Sequence, residues 1–380
     1  MPARPPQLPE DAGRRDGLRG GRPPAGLAIM KVLIVKMSSM GDVVHALPAL
    51  TDALKARPDL VVDWCVEAAF APLVRLHPGV RHVHEIRLRA WRKAALKAES
   101  WRAARTLIRA LRAERYDLVI DAQGLLKSAL VARLTGARVA GLNAASAREP
   151  LAARLYGERH TIPRDRHAIA RLRLLFGAIL GYAPDLATLD YGIAHGSDEP
   201  DPTVVLLHGT TWPSKRWSTE SWIELANALI REGLRPQVTY ADAAEEATAR
   251  AIVAGSPGTE LIPRAPLGEV ASLIGRASAV VGCDTGLTHL AAALDRPTVA
   301  LFLSTKPGLT GVAGRRAMVL EATTPCAPCR KRDCPLVPPG EIQLCVTTIR
   351  PQLVFERIAK FIKIRNPDMI PKSSSHSPAP

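Results

Sequence analysis

Lys31-Val32-Leu33-Ile34-Val35-Lys36-Met37-Ser38-Ser39-Met40-Gly41-Asp42 decides the fold class, because it runs from a buried strand through a polar turn into a helix. Four apolar residues in a row between two lysines read as a strand covered on both faces, as in parallel sheets. The apolar positions that follow, Val43, Leu47, Leu50 and Leu54, take helical spacing. Strand, short loop and helix form the repeating unit of an α/β domain. The loop leaves backbone N–H groups free at a helix start, and Gly41 lets a guest approach the main chain. An anion or a sugar is therefore the expected ligand.

The same pattern recurs outward from this stretch. Runs 61–66 and 117–121 read as further strands of a first set, and runs 203–208, 237–240, 278–282 and 298–302 as a second set, with helices between them. Between the sets, residues 182–202 turn polar and rich in Pro, Gly and Asp, the composition of a linker. A chain of 380 residues accommodates two such domains. The expected organisation is an extension over 1–28, a domain over 29–185, a linker over 186–202, a second domain over 203–350, a helix over 351–366 and a tail over 367–380. The Pro-, Gly- and Arg-rich extension and the Ser/Pro tail hold too little apolar content to offset ordering entropy, so both are expected to be disordered. Open parallel sheets bind ligands beyond the carboxyl ends of their strands, and two of them can face one cleft.

Composition narrows the partners. The longest apolar stretches, such as 298–303, fall far short of the roughly 20 residues of a membrane span. No apolar signal core stands near the start, so the expectation is a cytoplasmic protein. A formal charge of +15 calls for an anionic partner: nucleic acid, an anionic membrane or a phosphorylated substrate. Nucleic-acid platforms need aromatic side chains, and Phe, Trp and Tyr make up only 4% of this chain, which weighs against that class. Isolated Cys65 and Cys283 read as small buried hydrophobes.

Three loops carry the candidate chemistry. In the first, Asp42 stands at a helix start, where it serves either as a cap or as a general base; His45, one turn on, is a rival base. In the second, Gly209-Thr210-Thr211-Trp212-Pro213-Ser214-Lys215-Arg216-Trp217 joins hydroxyls to cations that can hold a diphosphate. In the third, Gly282-Cys283-Asp284-Thr285-Gly286-Leu287-Thr288-His289 opens a helix expected over 289–294. Thr285 and Gly286 offer N–H groups to phosphate there, and Asp284 accepts from sugar hydroxyls or orders the loop, or else serves only as a helix cap. Neither a G-x-x-x-x-G-K-[ST] nor a G-x-G-x-x-G signature is present, which removes support for kinase and dehydrogenase chemistry.

The first loop together with Leu47-Pro48-Ala49-Leu50-Thr51-Asp52-Ala53, Asp121-Ala122-Gln123-Gly124-Leu125, Arg148-Glu149-Pro150-Leu151 and Asp284-Thr285-Gly286-Leu287-Thr288-His289-Leu290 closely resembles the lipopolysaccharide heptosyltransferase I family, over roughly residues 30–307. The resemblance implies a GT-B fold of two Rossmann-like domains and transfer of heptose, with inversion, from ADP-heptose to the first Kdo of Kdo2-lipid A, without a catalytic metal. It gives Asp42 the role of base and Lys215 that of diphosphate partner. Thr210, Thr211, Asp284, Thr285, Gly286 and His289 fall on the donor side, and Glu245, or its neighbour Glu246, at the donor ribose. Ser38, Ser39, Gly41, Gln123, Arg89, Arg92 and Lys93 fall on the acceptor side. Second-heptose transferases share the plan but match the Met40-Gly41-Asp42 region less well. From Arg87 to Arg115 ten Lys or Arg residues stand against two acids, with Trp91 and Trp101 interleaved, which suits an anionic lipid acceptor and a peripheral contact with the inner membrane face.

Cys326-x2-Cys329-x4-Cys334-x10-Cys345 lies beyond that resemblance. Four thiols in such a span suit a structural zinc, although the spacing is not that of a common zinc ribbon.

Overall fold

The computed structural model describes residues 28–94, 96–194, 201–338 and 341–362. Residues 1–27 of the expected extension, the tail over 367–380, residues 363–366 of the helix expected over 351–366 and residues 195–200 of the expected linker lie outside the described residues.

Twelve strands are ordered along these residues: β1 Met30–Val35, β2 Leu60–Glu67, β3 Val80–Ile86, β4 Leu118–Asp121, β5 Arg138–Leu142, β6 Glu158–His160, β7 Asp201–Leu207, β8 Arg235–Val238, β9 Glu260–Leu261, β10 Ala277–Cys283, β11 Thr298–Phe302 and β12 Ala317–Glu321. They form two six-stranded sheets of one plan, β3-β2-β1-β4-β5-β6 and β12-β11-β10-β7-β8-β9. Every pairing in both is parallel. This is the GT-B arrangement of two α/β domains. Alternation along β1 accounts for its central place: Val32 and Ile34 pack into one buried cluster, Leu33 and Val35 into another on the opposite face. Strands β3, β5, β6, β9 and β12 are short or carry charged residues at the sheet margins, so they lack the unbroken apolar signal of the central strands.

In each sheet the strand order reverses between two central strands, β1 and β4 in the first and β7 and β10 in the second. Ligand crevices form at such switch points, and all three candidate loops leave these strands. The apolar cluster beneath them is continuous between the domains, joining Val32, Ile34, Val43 and Leu47 to Val205, Leu207, Val280 and Leu290.

Several boundaries differ from expectation. The helical run after Gly41 splits into Met40–Val44 and Leu47–Ala56 around His45 and Ala46, because Pro48 fits the first turn of a new helix rather than the middle of an old one. The third-loop helix spans Gly286–Ala293 rather than 289–294. Part of the linker is packed: Tyr191 and Ile193 are buried, and Tyr191 Oη donates to Ala313 O at 2.8 Å. The Pro351–Ile362 helix presses Val354, Phe355 and Ile358 into the core of the second domain.

Candidate active site

The β1 loop is built around its aspartate. Ser39 is the N-cap of the Met40–Val44 helix and Asp42 is its third residue, which corrects the reading of Asp42 as the cap itself. Asp42 Oδ2 accepts from Ser39 N at 2.9 Å and from Ser39 Oγ at 2.7 Å, so capping employs one carboxylate oxygen. Burial opposes ionisation of Asp42, but the Lys36 ammonium and the Ser39 bonds outweigh it and hold the carboxyl below its ordinary range. Lys36 is itself buried at the end of β1 and donates to Ala122 O at 3.0 Å. Its pKa is lowered by burial, against the pull of Asp42 and Asp121.

Gln123 follows β4 and reaches the same loop, its Oε1 accepting from Met37 N at 2.8 Å. The turn that carries it is organised by fully buried Asp121, whose Oδ1 accepts from Gln123 N at 2.9 Å and Gly124 N at 3.2 Å. Gly124 has φ +69°, a left-handed conformation that glycine adopts without a steric penalty.

Across the interface, Asp284 is the hub. Its Oδ2 meets Lys215 Nζ at 2.6 Å and accepts from Thr305 Oγ1 at 2.6 Å, while Oδ1 faces His289 Nε2 at 3.6 Å. Burial would raise its pKa, but His289, Lys215 and Thr305 together hold it well below the carboxylate range. Asp284 therefore orders the loop by fixing Lys215, and it is not a helix cap; Thr285 occupies that position. Lys215 also lies 4.8 Å from the centre of the Trp212 ring, which limits its swing. Thr210 is buried and bonds Asp284 O at 3.4 Å, whereas Thr211 is exposed.

The two halves touch at glycines. A Cβ built on Gly286 would stand 2.5 Å from Met40 Cβ, and one on Gly41 would stand 3.2 Å from the His289 ring. The helix start at Gly286 is thus pressed against the turn that carries Asp42. Beneath this contact, His45 Nε2 and His289 Nδ1 are 3.0 Å apart. With His289 Nε2 turned to Asp284, its Nδ1 accepts from His45 Nε2–H, and His45 Nδ1 stays buried without a hydrogen-bond partner among the described residues. Burial and then His289 push the pKa of His45 well down. A neutral, buried His45 committed to His289 is a poor rival to Asp42 as a base.

Glu245 lines a recess with His208, Gly209, Arg216, Trp217, Ala244 and Thr248. Its Oε2 accepts from Ala241 N at 2.8 Å, and burial raises its pKa. Glu246 instead pairs with Arg250 at 2.6 Å, which favours Glu245 as the carboxylate facing the recess. The basic residues Arg89, Arg92 and Lys93 are exposed on the Leu88–Lys93 helix, beyond the carboxyl end of β3. They stand at the same carboxyl-end edge of the sheet as Ser38, Ser39, Gly41 and Gln123, and Arg89 N donates to Glu67 Oε1 at 3.3 Å.

Sequence reasoning missed Lys36, Thr305 and His208. A lysine closing an apolar strand was the available sign for Lys36; the other two owe their place to tertiary packing. Among the described residues, Asp63, His82 and Glu114 bring potential metal-ligand atoms within 4.8 Å of one another. Arg81 already occupies both carboxylates, at 2.6 Å and 2.5 Å, so that cluster is an ion-pair network.

A sequence model of glycosyltransferase family 9 (heptosyltransferase) matches residues 104–338. Lipopolysaccharide heptosyltransferase 1 of Pseudomonas aeruginosa is 42% identical over 343 residues, covering 86% of this chain and 96% of the relative. Lipopolysaccharide heptosyltransferase 2 of Salmonella typhimurium is more distant, at 28% over 328 residues, covering 80% and 91%. Among solved structures, E. coli heptosyltransferase WaaC with ADP superposes with a TM-score of 0.78 at 38% identity, covering 87% of this chain and all of the other. The same enzyme with ADP-2-deoxy-2-fluoro heptose gives 0.75 at 37%, covering 87% and 99%.

Proposed function

The chain belongs to glycosyltransferase family 9, the heptosyltransferases, and from that premise we propose that it moves L-glycero-D-manno-heptose from ADP-heptose to the first Kdo of Kdo2-lipid A, with inversion at the anomeric carbon. The observation that carries this reading is the meeting of two loops at facing switch points: ionised Asp42 from one sheet, and the Lys215–Asp284 pair with the Gly286 helix start from the other.

In this reading Asp42 takes the proton of the acceptor hydroxyl as that oxygen attacks the anomeric carbon. Lys215 has three N–H donors and Asp284 engages one, so the others are available to the departing diphosphate. The N–H groups at the start of the Gly286–Ala293 helix, with Thr210, Thr211 and Thr285, bind the same phosphates. Glu245 holds the ribose through Oε1, since Oε2 is already bonded to Ala241 N. On the acceptor side, Gln123 offers its amide nitrogen to a sugar hydroxyl beside Ser38, Ser39 and Gly41, while Arg89, Arg92 and Lys93 grip phosphate and carboxylate groups.

The basic segment from Arg87 to Arg115 exposes Leu96 and Trp101 and suits a peripheral seat on the anionic inner face of the membrane. Among the described residues, no helix is long and apolar enough to cross a membrane.

Turnover with ADP-heptose and deacylated Kdo2-lipid A tests the assignment, read as ADP release and as product mass. Transfer to this acceptor, and none to one that already carries the first heptose, is the expected result. The reverse preference would assign the chain to second-heptose transfer.

A further inference from the structure

The segment between β12 and the Leu344–Thr347 helix has no regular secondary structure among its described residues, and from Cys326 to Leu344 none of them is buried. Leu336, Ile342 and Leu344 all face solvent. Ordering such a stretch costs about 1–2 kcal/mol per residue in backbone entropy, and no apolar burial here offsets it. Small units without a core are usually held by a cross-link or a metal.

This segment nevertheless grips the catalytic loop. Ser214, the residue before Lys215, donates from N to Arg332 O at 3.1 Å and from Oγ to Lys331 O at 2.5 Å. Arg330 N donates to Ser304 O at 2.7 Å, beside the Thr305 that bonds Asp284. Gln343 Nε2 closes the far side on Pro213 O at 3.3 Å. The turn carrying Lys215 is thus clasped by main-chain carbonyls that lie between Cys329 and Cys334.

The cysteines are what this segment has in place of a core. Cys326 lies inside a tight turn closed by Ala327 N donating to Thr324 O at 3.0 Å, Cys329 follows that turn, and all four thiols are free of disulfides. Cys345 is buried where the chain returns, and its Sγ lies 3.7 Å from Gln343 Oε1. Thr348 Oγ1 accepts from Thr323 N at 3.3 Å and donates to Cys345 O at 2.8 Å, which brings the strand of chain leading to Cys326 beside Cys345. Among the described residues no three of the four sulfurs lie within 4.8 Å of one another, so the set is open in this conformation. A bound ion would draw them in.

We propose that Cys326, Cys329, Cys334 and Cys345 bind one thiophilic metal ion, zinc or ferrous iron, and that this ion stiffens the segment clasping the Lys215 turn. An all-sulfur set of four selects these ions, and the C-x2-C pair supplies the usual chelating knuckle. The positioning half of the proposal rests on the donor role assigned to Lys215; the metal half does not.

The test uses the full chain, purified under reducing conditions without chelator. Elemental analysis should find about one equivalent of zinc or iron per chain, lost in Cys329→Ser and in Cys345→Ser. Four thiols should resist a disulfide reagent in the loaded parent and react after a chelator strips the ion, a readout that does not depend on the variants folding. Stripping should weaken ADP binding by about tenfold, and adding the ion back should restore it. A parent without stoichiometric metal whose thiols react freely, or peptide mapping that finds these cysteines in disulfides, would overturn the site. Metal bound in full with ADP affinity unmoved by stripping would overturn the positioning role. Loaded protein that fails to bind ADP at all would count against the donor assignment, with the metal count still read independently.

Discussion

Asp42→Asn compared with Ser39→Ala separates the two roles that meet in one carboxylate. Both changes disturb the capping bonds at Asp42 Oδ2, but only the first removes the charge and the basic oxygen. A cap of this kind contributes about 1 kcal/mol, and in a domain of about 150–250 residues that corresponds to a Tm loss of roughly 2–4 °C. A general base contributes about 10²–10⁴-fold in rate, or roughly 2.7–5.5 kcal/mol of barrier. Asp42→Asn should therefore lower kcat at least a hundredfold with a Tm loss of only a few degrees. Ser39→Ala should show a similar Tm loss and stay within about tenfold of parental turnover. Single-turnover kinetics with ADP-heptose, alongside scanning calorimetry, reads both quantities. If Asp42→Asn keeps more than about a tenth of parental turnover, or if Ser39→Ala loses as much as Asp42→Asn, the base assignment fails and the cap accounts for the residue.

Lys36→Met removes the cation that depresses Asp42. The ionised carboxylate is the active form, so activity falls as pH drops through its folded pKa, and in the variant that acid limb should move to higher pH, visible in the pH profile of kcat/KM. Gly209→Ala would place a Cβ 2.4 Å from Glu245 Oε1, displacing the carboxylate from its recess; the donor KM should rise about tenfold or more with little change in Tm, and an unchanged KM would remove Glu245 from the donor site. Gly286→Ala would drive its new methyl into Met40 across the interface, an overpacking that costs about 1–3 kcal/mol and should appear as a lower denaturant midpoint. Replacing Arg89, Arg92 and Lys93 together with Ala should raise the acceptor KM and flatten its dependence on salt, leaving the donor KM in place.

Much of this was legible in the chain itself. The strand at Lys31–Lys36 and its glycine turn specified a parallel α/β domain because apolar run, turn and helical spacing are all local, and the same grammar located the strands that became β7, β10 and β11. The charge between Arg87 and Arg115 was equally plain. Edge strands such as β6 and β9 were not, because a short margin strand has little apolar pattern and is formed by pairing with its neighbour.

At the site, local sequence could not choose between cap and base for Asp42, between base and bystander for His45, or between cap and ligand for Asp284, since each stands in the same kind of strand–loop–helix segment whichever role it has. Tertiary structure decides by supplying partners from far along the chain: His289 makes His45 a neutral buried donor, and Lys215 with Thr305 turns Asp284 into an anchor rather than a cap. It also distinguishes Glu245, which lines the recess, from Glu246, which pairs with Arg250, although pattern alone treats the two as equals one residue apart. Sequence determines which segments become strands and which loops stand at their carboxyl ends. The state of a buried ionisable group depends on burial and on charges a few ångströms away, and those are properties of the packed chain.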